Sequence, residues 1–236
     1  MHDSALAARY DALWNAAAPE VRAGRAALDA WAARKDDDHR RGVTLLARPS
    51  DSVTRELCAL MDELRALEPD QYYHPPADLH ITVLSLISAT VDYEERMHQV
   101  DGFRAAVAEA VGRAAHFTID AAGVTLSPAA VLARGFPRDD ALERLRAGLR
   151  ESLAARGLAG GLDARYRLRT AHTTMVRFTA PLRDPARFVD ALQSARQRPF
   201  GATIVATLEL TLSDWYQSAG RTRLLAAFPL PAAPPA

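Results

Sequence analysis

Residues 79–87 read Leu-His-Ile-Thr-Val-Leu-Ser-Leu-Ile, and residues 168–178 read Leu-Arg-Thr-Ala-His-Thr-Thr-Met-Val-Arg-Phe. Both stretches are rich in β-branched and aliphatic residues, which favours a strand in each. Side chains alternate between the two faces of a strand, so a histidine and the threonine two positions later share a face. Each strand is therefore expected to present an imidazole beside a hydroxyl.

The same order of elements surrounds both stretches. A strand near Val43 and another near Ala130 are each followed by a helical pattern and then by a histidine-bearing strand. The sequences of the two halves are not obviously similar, so the repeat is one of element order. This order predicts an α+β (α/β-like) fold of two pseudo-symmetric lobes, each a mainly antiparallel sheet with flanking helices, around a central cleft.

The expected divisions of the chain follow from this repeat. Residues 1–40 form an N-terminal helical extension, two Ala-rich helices broken near Pro19; residues 41–127 and 128–230 form the first and second lobes, and residues 231–236 form a flexible tail. The only lysine, Lys35, lies in the polar run Arg-Lys-Asp-Asp-Asp and is expected to belong to a solvated linker.

Composition limits the partners and the compartment. The 236 residues carry 29 basic and 29 acidic side chains, and 49% of residues are hydrophobic, as in an ordinary globular protein. The balanced charge disfavours a broad clamp on duplex DNA, which usually needs a basic domain. No apolar run is long enough for a membrane helix and no secretory signal is visible, so a cytoplasmic monomer is expected.

Two tripeptides hold the candidate catalytic groups, His80-Ile81-Thr82 and His172-Thr173-Thr174. If a pseudo-two-fold axis relates the halves, both pairs can face one cleft. Two imidazoles with ordinary pKa values near 6.5 and two hydroxyl donors suit acid–base chemistry on a phosphate diester. Neither a metal-ligand spacing nor a phosphate-binding glycine loop is present, so no metal and no cofactor are expected.

The chain resembles the two-histidine phosphoesterase superfamily, which includes the RNA 2′,3′-cyclic phosphodiesterases, also called 2′-5′ RNA ligases. The family pattern is His-x-Thr-x, once in each lobe, with a hydrophobic fourth residue. Here it is His-Ile-Thr-Val from His80 and His-Thr-Thr-Met from His172. The resemblance covers about residues 42–230 and leaves the N-terminal 40 unexplained.

The resemblance implies a metal-independent phosphodiesterase that opens a 2′,3′-cyclic phosphate or cleaves a 2′,5′ linkage in RNA or a small nucleotide. The sequence itself leaves open which histidine is the acid. The family pattern for products that bear a 2′-phosphate makes His80 the acid and His172 the base, while Thr82 and Thr174 hold the non-bridging phosphate oxygens. Two alternatives stay open: reversible 2′-5′ RNA ligation at the same site, and a non-catalytic module that binds a nucleotide or RNA.

Substrate-binding residues are sought near the motifs. Ligase-like members often carry an arginine five residues after the second histidine, and Arg177 stands there. Strict strand alternation would turn Arg177 away from the His172 face, so its entry into the cleft requires a twist or a bulge. Ser85 occupies the equivalent place in the first half.

Aromatic residues provide further candidates. Tyr72, Tyr73 and His74 form a proline-flanked loop before the first motif and could stack a base, with Tyr73 taken as the contact. Tyr216, with Trp215 beside it, follows a predicted strand of the second half and is expected either to line the same cleft or to close the edge of the core.

Overall fold

The computed structural model describes residues 4–162 and 167–232. Five α-helices lie in these ranges: α1 (Ser4–Arg22), α2 (Asp51–Leu67), α3 (Val100–Val111), α4 (Ala141–Ala155) and α5 (Pro185–Ser194). The strands are β1 (Arg41–Ala47), β2 (Tyr72–Tyr73), β3 (Ile81–Thr90), β4 (Phe117–Ser127), β5 (Ala130–Pro137), β6 (Thr173–Arg177), β7 (Pro199–Val205), β8 (Thr207–Ser213) and β9 (Arg223–Pro229). Short 3₁₀ helices cover Ala32–Asp37, Pro76–Asp78, Tyr93–Gln99 and Ala219–Arg221.

The strands form two antiparallel sheets. The four-stranded sheet has the order β3-β1-β8-β9, and the five-stranded sheet has the order β2-β6-β5-β4-β7. The first histidine motif therefore belongs to one sheet and the second motif to the other. The predicted α+β class with antiparallel sheets and flanking helices is confirmed.

The two sheets do not follow the expected division of the chain at residue 127. Strands β8 and β9 complete the sheet of the first motif, and β2 and β4 belong to the sheet of the second. The helices are exchanged in the same way: α4 packs its leucines into the core of the four-stranded sheet, whereas α2 packs into the core of the five-stranded sheet. Burial of each apolar face against the opposite lobe ties the halves together.

Several local elements differ from the sequence prediction. Helix α1 continues through Pro19 to Arg22, because the proline lies in its last turn and Val21 is fully buried in the core. The sequence of residues 202–212 favours one continuous strand, but the chain leaves one sheet for the other at Ala206 and forms two strands, β7 and β8. A 3₁₀ helix over Tyr93–Gln99 leads into α3.

The N-terminal extension packs on the five-stranded sheet. Trp14, Ala17 and Val21 of α1 enter the core of that sheet, and Leu6 and Tyr10 pack on Phe136 of β5. The expected flexible tail at 231–236 lies mostly outside the described residues. Across the described part of the chain, helices that combine the length and the hydropathy needed to cross a bilayer were not found.

Candidate active site

One cavity of about 180 Å³ lies between the two histidine motifs. Both imidazoles line it and both are partly exposed to it, as are the two threonines. Strand alternation places each threonine hydroxyl on the same face as its histidine. The wall residues are Gly42, Thr44, His74, His80, Thr82, Leu84, Ser85, Ser88, Ala89, Leu168, His172, Thr174, Arg177, Asp214, Trp215 and Gln217.

A β-bulge follows each motif at the same offset. On β3, Val83 is the extra residue between the pairs Leu46–Thr82 and Leu45–Leu84. On β6, Met175 is the extra residue between Leu132–Thr174 and Val131–Val176. A bulge inserts one residue and so reverses the alternation beyond it. The fifth residue after each histidine therefore lines the cavity; these residues are Ser85 and Arg177.

His80 immediately precedes β3, and its backbone geometry fixes its tautomer. Nδ1 lies 2.8 Å from the carbonyl oxygen of Asp78. Because that oxygen only accepts, Nδ1 carries the proton and Nε2 of the neutral ring remains available to a ligand. Burial lowers the pKa of His80 to about 4, although the carbonyl of Asp78 opposes the shift.

His172 immediately precedes β6 and has a related environment. The hydroxyl oxygen of Thr170 lies 2.8 Å from Nδ1, so the partner again comes from two residues upstream. The pKa of His172 is lowered to about 4, chiefly by burial and also by the nearby charges of His80 and Arg146. Tyr10 of α1 supports this segment, since its hydroxyl accepts the N–H of Ala171 at 3.1 Å.

Arg146 of α4 joins the two motifs from beneath the cavity and was not anticipated from sequence. Its Nη2 donates to the carbonyl oxygens of Thr82 at 3.0 Å and Thr170 at 2.8 Å, while Nε donates to that of Val83 at 3.0 Å. The residue is fully buried, with Glu143 as its carboxylate partner at 2.8 Å. One guanidinium therefore fixes the backbone of both motifs.

Arg177 lies at one end of the cavity, in contact with the N-terminal extension. Its guanidinium donates to Asp29 Oδ2 at 3.4 Å and lies 5.5 Å from the ring centre of Tyr216. Tyr216 itself is buried, and its hydroxyl donates to Asp29 Oδ1 at 2.7 Å. Tyr216 thus stands behind the cavity, next to Arg177, while Trp215 is the residue on the wall.

Lys35 is not part of a solvated linker. Its ammonium group is half-buried, lies 4.0 Å from the ring centre of Tyr72 and 4.8 Å from that of Tyr216, and donates to Ser218 Oγ at 2.8 Å. Burial lowers the pKa of this amine, and the carboxylates of Asp214 and Asp78 oppose the shift. Its aromatic neighbours, rather than the adjacent aspartates in the chain, determine its position.

The expected substrate contact of Tyr73 does not fit the structure. Tyr73 packs in the core, and its hydroxyl donates to the carbonyl oxygen of Glu68 at 3.0 Å. Because Tyr72–Tyr73 forms strand β2, which pairs with β6, the neighbouring side chains alternate and His74 takes the cavity side. His74 is 2% exposed, and burial lowers its pKa well below the usual value.

Comparisons with solved structures identify the fold. TT0787 of Thermus thermophilus superposes with a TM-score of 0.60 at 17% identity, covering 83% of this chain and 100% of that one. Apo LigT of E. coli gives a TM-score of 0.52 at 17% identity, covering 81% and 98%. A structure described as a phosphoesterase gives 0.50 at 19% identity, covering 81% and 99%. The chain has the LigT fold.

The fold implied by the resemblance of the two motifs is thus confirmed, since the chain shares it with LigT and with a structure described as a phosphoesterase. No protein-family model and no curated protein matches the chain. Within residues 4–162 and 167–232, His, Cys, Asp and Glu side chains do not gather in threes or more as a metal site would require.

Proposed function

We propose that this LigT-fold protein is a phosphoric diester hydrolase that opens a 2′,3′-cyclic phosphate or cleaves a 2′,5′ linkage by two-histidine acid–base catalysis. The observation that carries the proposal is the convergence of both His-x-Thr motifs on one partly open cavity. Two imidazoles that line one cavity can serve the attacking and the leaving oxygen of the same phosphorus. Binding alone needs no such pair, which favours an enzyme over a non-catalytic module.

The proposed reaction is a single displacement at phosphorus. His172 takes a proton from water, whose oxygen forms the new bond to phosphorus, while His80 gives its proton to the departing ribose oxygen as that P–O bond breaks. The hydroxyls of Thr82 and Thr174 and the guanidinium of Arg177 hold the non-bridging oxygens as charge develops on them. The product is a phosphomonoester, and solvent returns the two imidazoles to their starting protonation states.

The hydrogen bonds at Nδ1 support this division of roles. The carbonyl of Asp78 stabilises a protonated His80, which suits an acid. His172 has at the same position a hydroxyl, which can either donate to the ring or accept from it, and the charge of Arg146 favours the unprotonated ring of a base. A bound phosphate anion raises the pKa of both rings, so that His80 takes up from solvent the proton that the acid needs.

A nucleotide or an RNA end is the proposed substrate. LigT, which shares the fold, has been crystallised with 3′-AMP at a TM-score of 0.50 to this chain. If a 5′-hydroxyl replaces water as the attacking group, its oxygen forms the new bond to phosphorus as the bond to the 3′-oxygen of the cyclic ester breaks, and a 2′,5′ linkage results. Reversible 2′-5′ ligation is therefore the alternative reaction of the same site.

The test uses purified protein in EDTA with a 2′,3′-cyclic mononucleotide and with 2′,5′-oligoadenylate. We expect a phosphomonoester or cleaved product from the wild type, and losses of at least about 10²-fold in kcat/KM for His80→Ala and for His172→Ala. His98→Ala, an exposed histidine outside the cavity, is the matched control and should retain full activity. Binding without product, or full activity in either cavity variant, would refute the proposal.

A further inference from the structure

The N-terminal extension contacts the strand of the second histidine motif next to Arg177. The backbone N–H of Asp29 donates to the carbonyl oxygen of Phe178 at 2.7 Å, and the N–H of Ala27 donates to that of Pro128 at 2.8 Å. Phe178 directly follows Arg177 at the end of β6. These backbone contacts hold Asp29 beside Arg177, in a part of the chain that the family resemblance leaves unexplained.

The carboxylate of Asp29 accepts hydrogen bonds from three groups. Oδ2 accepts from Nη1 of Arg177 at 3.4 Å. Oδ1 accepts from the hydroxyl of Tyr216 at 2.7 Å and from the backbone N–H of Ala32 at 3.1 Å. Tyr216 is buried and Ala32 begins a 3₁₀ helix, so both donors on Oδ1 belong to fixed parts of the structure. The carboxylate therefore has a set orientation toward Arg177.

Asp29 and Arg177 form an ion pair that is largely shielded from solvent. The side chain of Asp29 is 13% exposed and that of Arg177 is 18% exposed. Water and salt screen an exposed ion pair strongly, whereas a pair this buried keeps more of its attraction. The guanidinium also lies over the ring of Tyr216, 5.5 Å from the ring centre. Asp29 and Tyr216 together hold the side chain of Arg177.

The extension also holds Tyr216 at both ends of its side chain. Asp29 accepts from the hydroxyl, and the ammonium group of Lys35 lies 4.8 Å from the ring centre. Lys35 is fixed in turn by its hydrogen bond to Ser218 Oγ at 2.8 Å. Because Asp29 and Lys35 both belong to residues 29–37, one segment of the extension sets the position of the ring that Arg177 contacts.

We propose that Asp29 is a positioning residue that orients the guanidinium of Arg177 toward a phosphate in the cavity. The inference rests on the proposed function, in which Arg177 contacts phosphate, and it assigns a role to the N-terminal extension. Arg177 lines the cavity, and Asp29 is not among the described residues of its wall, so a ligand in the cavity meets the arginine first. An arginine that is ordered before binding spares the substrate the entropic cost of ordering it.

The test is a double-mutant cycle of Asp29→Asn, Arg177→Gln and the double variant. Asp29→Asn keeps the size of the side chain and removes its charge. The control is Asp36→Asn, because Asp36 also pairs with an arginine, Arg221, but is exposed and lies outside the cavity wall. Each protein is assayed for kcat/KM on a 2′,3′-cyclic mononucleotide and for inhibition by inorganic phosphate. Thermal unfolding checks that each variant folds.

We expect Asp29→Asn to lower kcat/KM about tenfold and to weaken inhibition by phosphate, because a misaligned guanidinium contacts the phosphate poorly. The double variant should stay within about twofold of Arg177→Gln, because Asp29 acts through Arg177. Asp29→Glu keeps the charge and should recover part of the activity, and Asp36→Asn should match the wild type. Tyr216→Phe, a milder change that removes one donor to Asp29, should cost about threefold, and only where Arg177 is present.

Two results would overturn the positioning role. A loss from Asp29→Asn that is equally large with and without Arg177 would show that Asp29 only stabilises the fold. If Asp29→Asn folds poorly, the same comparison for Tyr216→Phe decides. Unchanged or higher kcat/KM in Asp29→Asn would show that the carboxylate does not orient Arg177 or that it competes with phosphate for the guanidinium.

Phosphate binding separates this inference from the proposed function. Turnover by the wild type with equal kcat/KM in Asp29→Asn overturns the positioning role and leaves the hydrolase intact. Absence of turnover overturns the hydrolase, and calorimetric titration with inorganic phosphate then decides the role of Asp29. Binding that Asp29→Asn weakens only when Arg177 is present supports the role. Equal binding by the wild type and Asp29→Asn overturns it, as does a wild type that does not bind phosphate.

Discussion

Replacing Arg146 with methionine removes the guanidinium that holds the two histidine motifs in one frame. The variant leaves three backbone carbonyls, those of Thr82, Val83 and Thr170, without their donor in a fully buried place. Each charge-assisted hydrogen bond contributes roughly 1.5–3 kcal/mol, and the released desolvation penalty of the guanidinium offsets part of the sum. Each buried carbonyl left without a donor costs about 1–3 kcal/mol, so the three together, less the released desolvation penalty, should lower the free energy of unfolding by about 3–5 kcal/mol.

The same substitution should also lower catalytic activity, because the three carbonyls belong to the segments that carry the two histidines. We expect Arg146→Met to lower kcat on a 2′,3′-cyclic nucleotide by at least about tenfold, since misplaced acid and base groups lose their alignment with the substrate. Arg146→Lys keeps the charge but not the planar fork of donors, so it should recover part of the stability and part of kcat.

Urea unfolding followed by circular dichroism measures the stability, and steady-state kinetics measures kcat and KM separately. Arg144→Met is the control, because Arg144 is exposed on the same helix and pairs only with Asp140 at the surface. Such surface pairs contribute about 0–1 kcal/mol. The reasoning fails if Arg146→Met unfolds within about 1 kcal/mol of the Arg144 variant and keeps the wild-type kcat.

Two further predictions concern the reacting groups. The pKa values of His80 and His172 in the free enzyme lie near 4, so above that pH the protonated fraction of the acid falls about tenfold per pH unit and kcat/KM should decline steadily between about pH 6 and 8. The decline of kcat, which reports the phosphate-bound enzyme, should occur at higher pH. A maximum of kcat/KM at or above pH 6.5 contradicts this prediction. The variant Arg177→Gln should lower kcat/KM about 10- to 100-fold and weaken inhibition by inorganic phosphate, because one charge-assisted hydrogen bond to phosphate is lost. The control Arg183→Gln, which breaks a surface ion pair with Asp70, should change neither quantity. Equal values for the two variants would show that Arg177 does not contact the phosphate.

Local patterns were enough to predict the class of fold and the meeting of the two motifs. Strand alternation places His80 with Thr82 and His172 with Thr174, and the repeated element order brings both pairs to one cavity. The bulge that Arg177 requires was foreseen as a condition, and it is present at Met175.

Other features depend on contacts that local periodicity does not contain. The apolar run through Ala206 looks like one strand, and only the competition between two sheets breaks it. A strand of only two residues is too short for an alternating pattern to show which side chains face the cavity, so the sequence could not distinguish Tyr73 from its neighbours. Lys35 was assigned to solvent by its acidic neighbours in sequence, yet the ring of Tyr72, distant in the chain, positions it.

The two histidine motifs repeat their backbone geometry but not their neighbouring groups, and the proposed division into acid and base rests on this difference. Each histidine has an Nδ1 partner two residues upstream, a bulge three residues downstream and a wall residue five residues downstream. The repeated backbone brings both imidazoles to the same cavity, where the proposed reaction needs them. The groups at the repeated positions differ, however: the backbone carbonyl beside His80 corresponds to a hydroxyl beside His172, and Ser85 corresponds to Arg177. The proposed reaction needs this combination of a repeated backbone with different neighbouring groups, because one imidazole must hold a proton while the other accepts one.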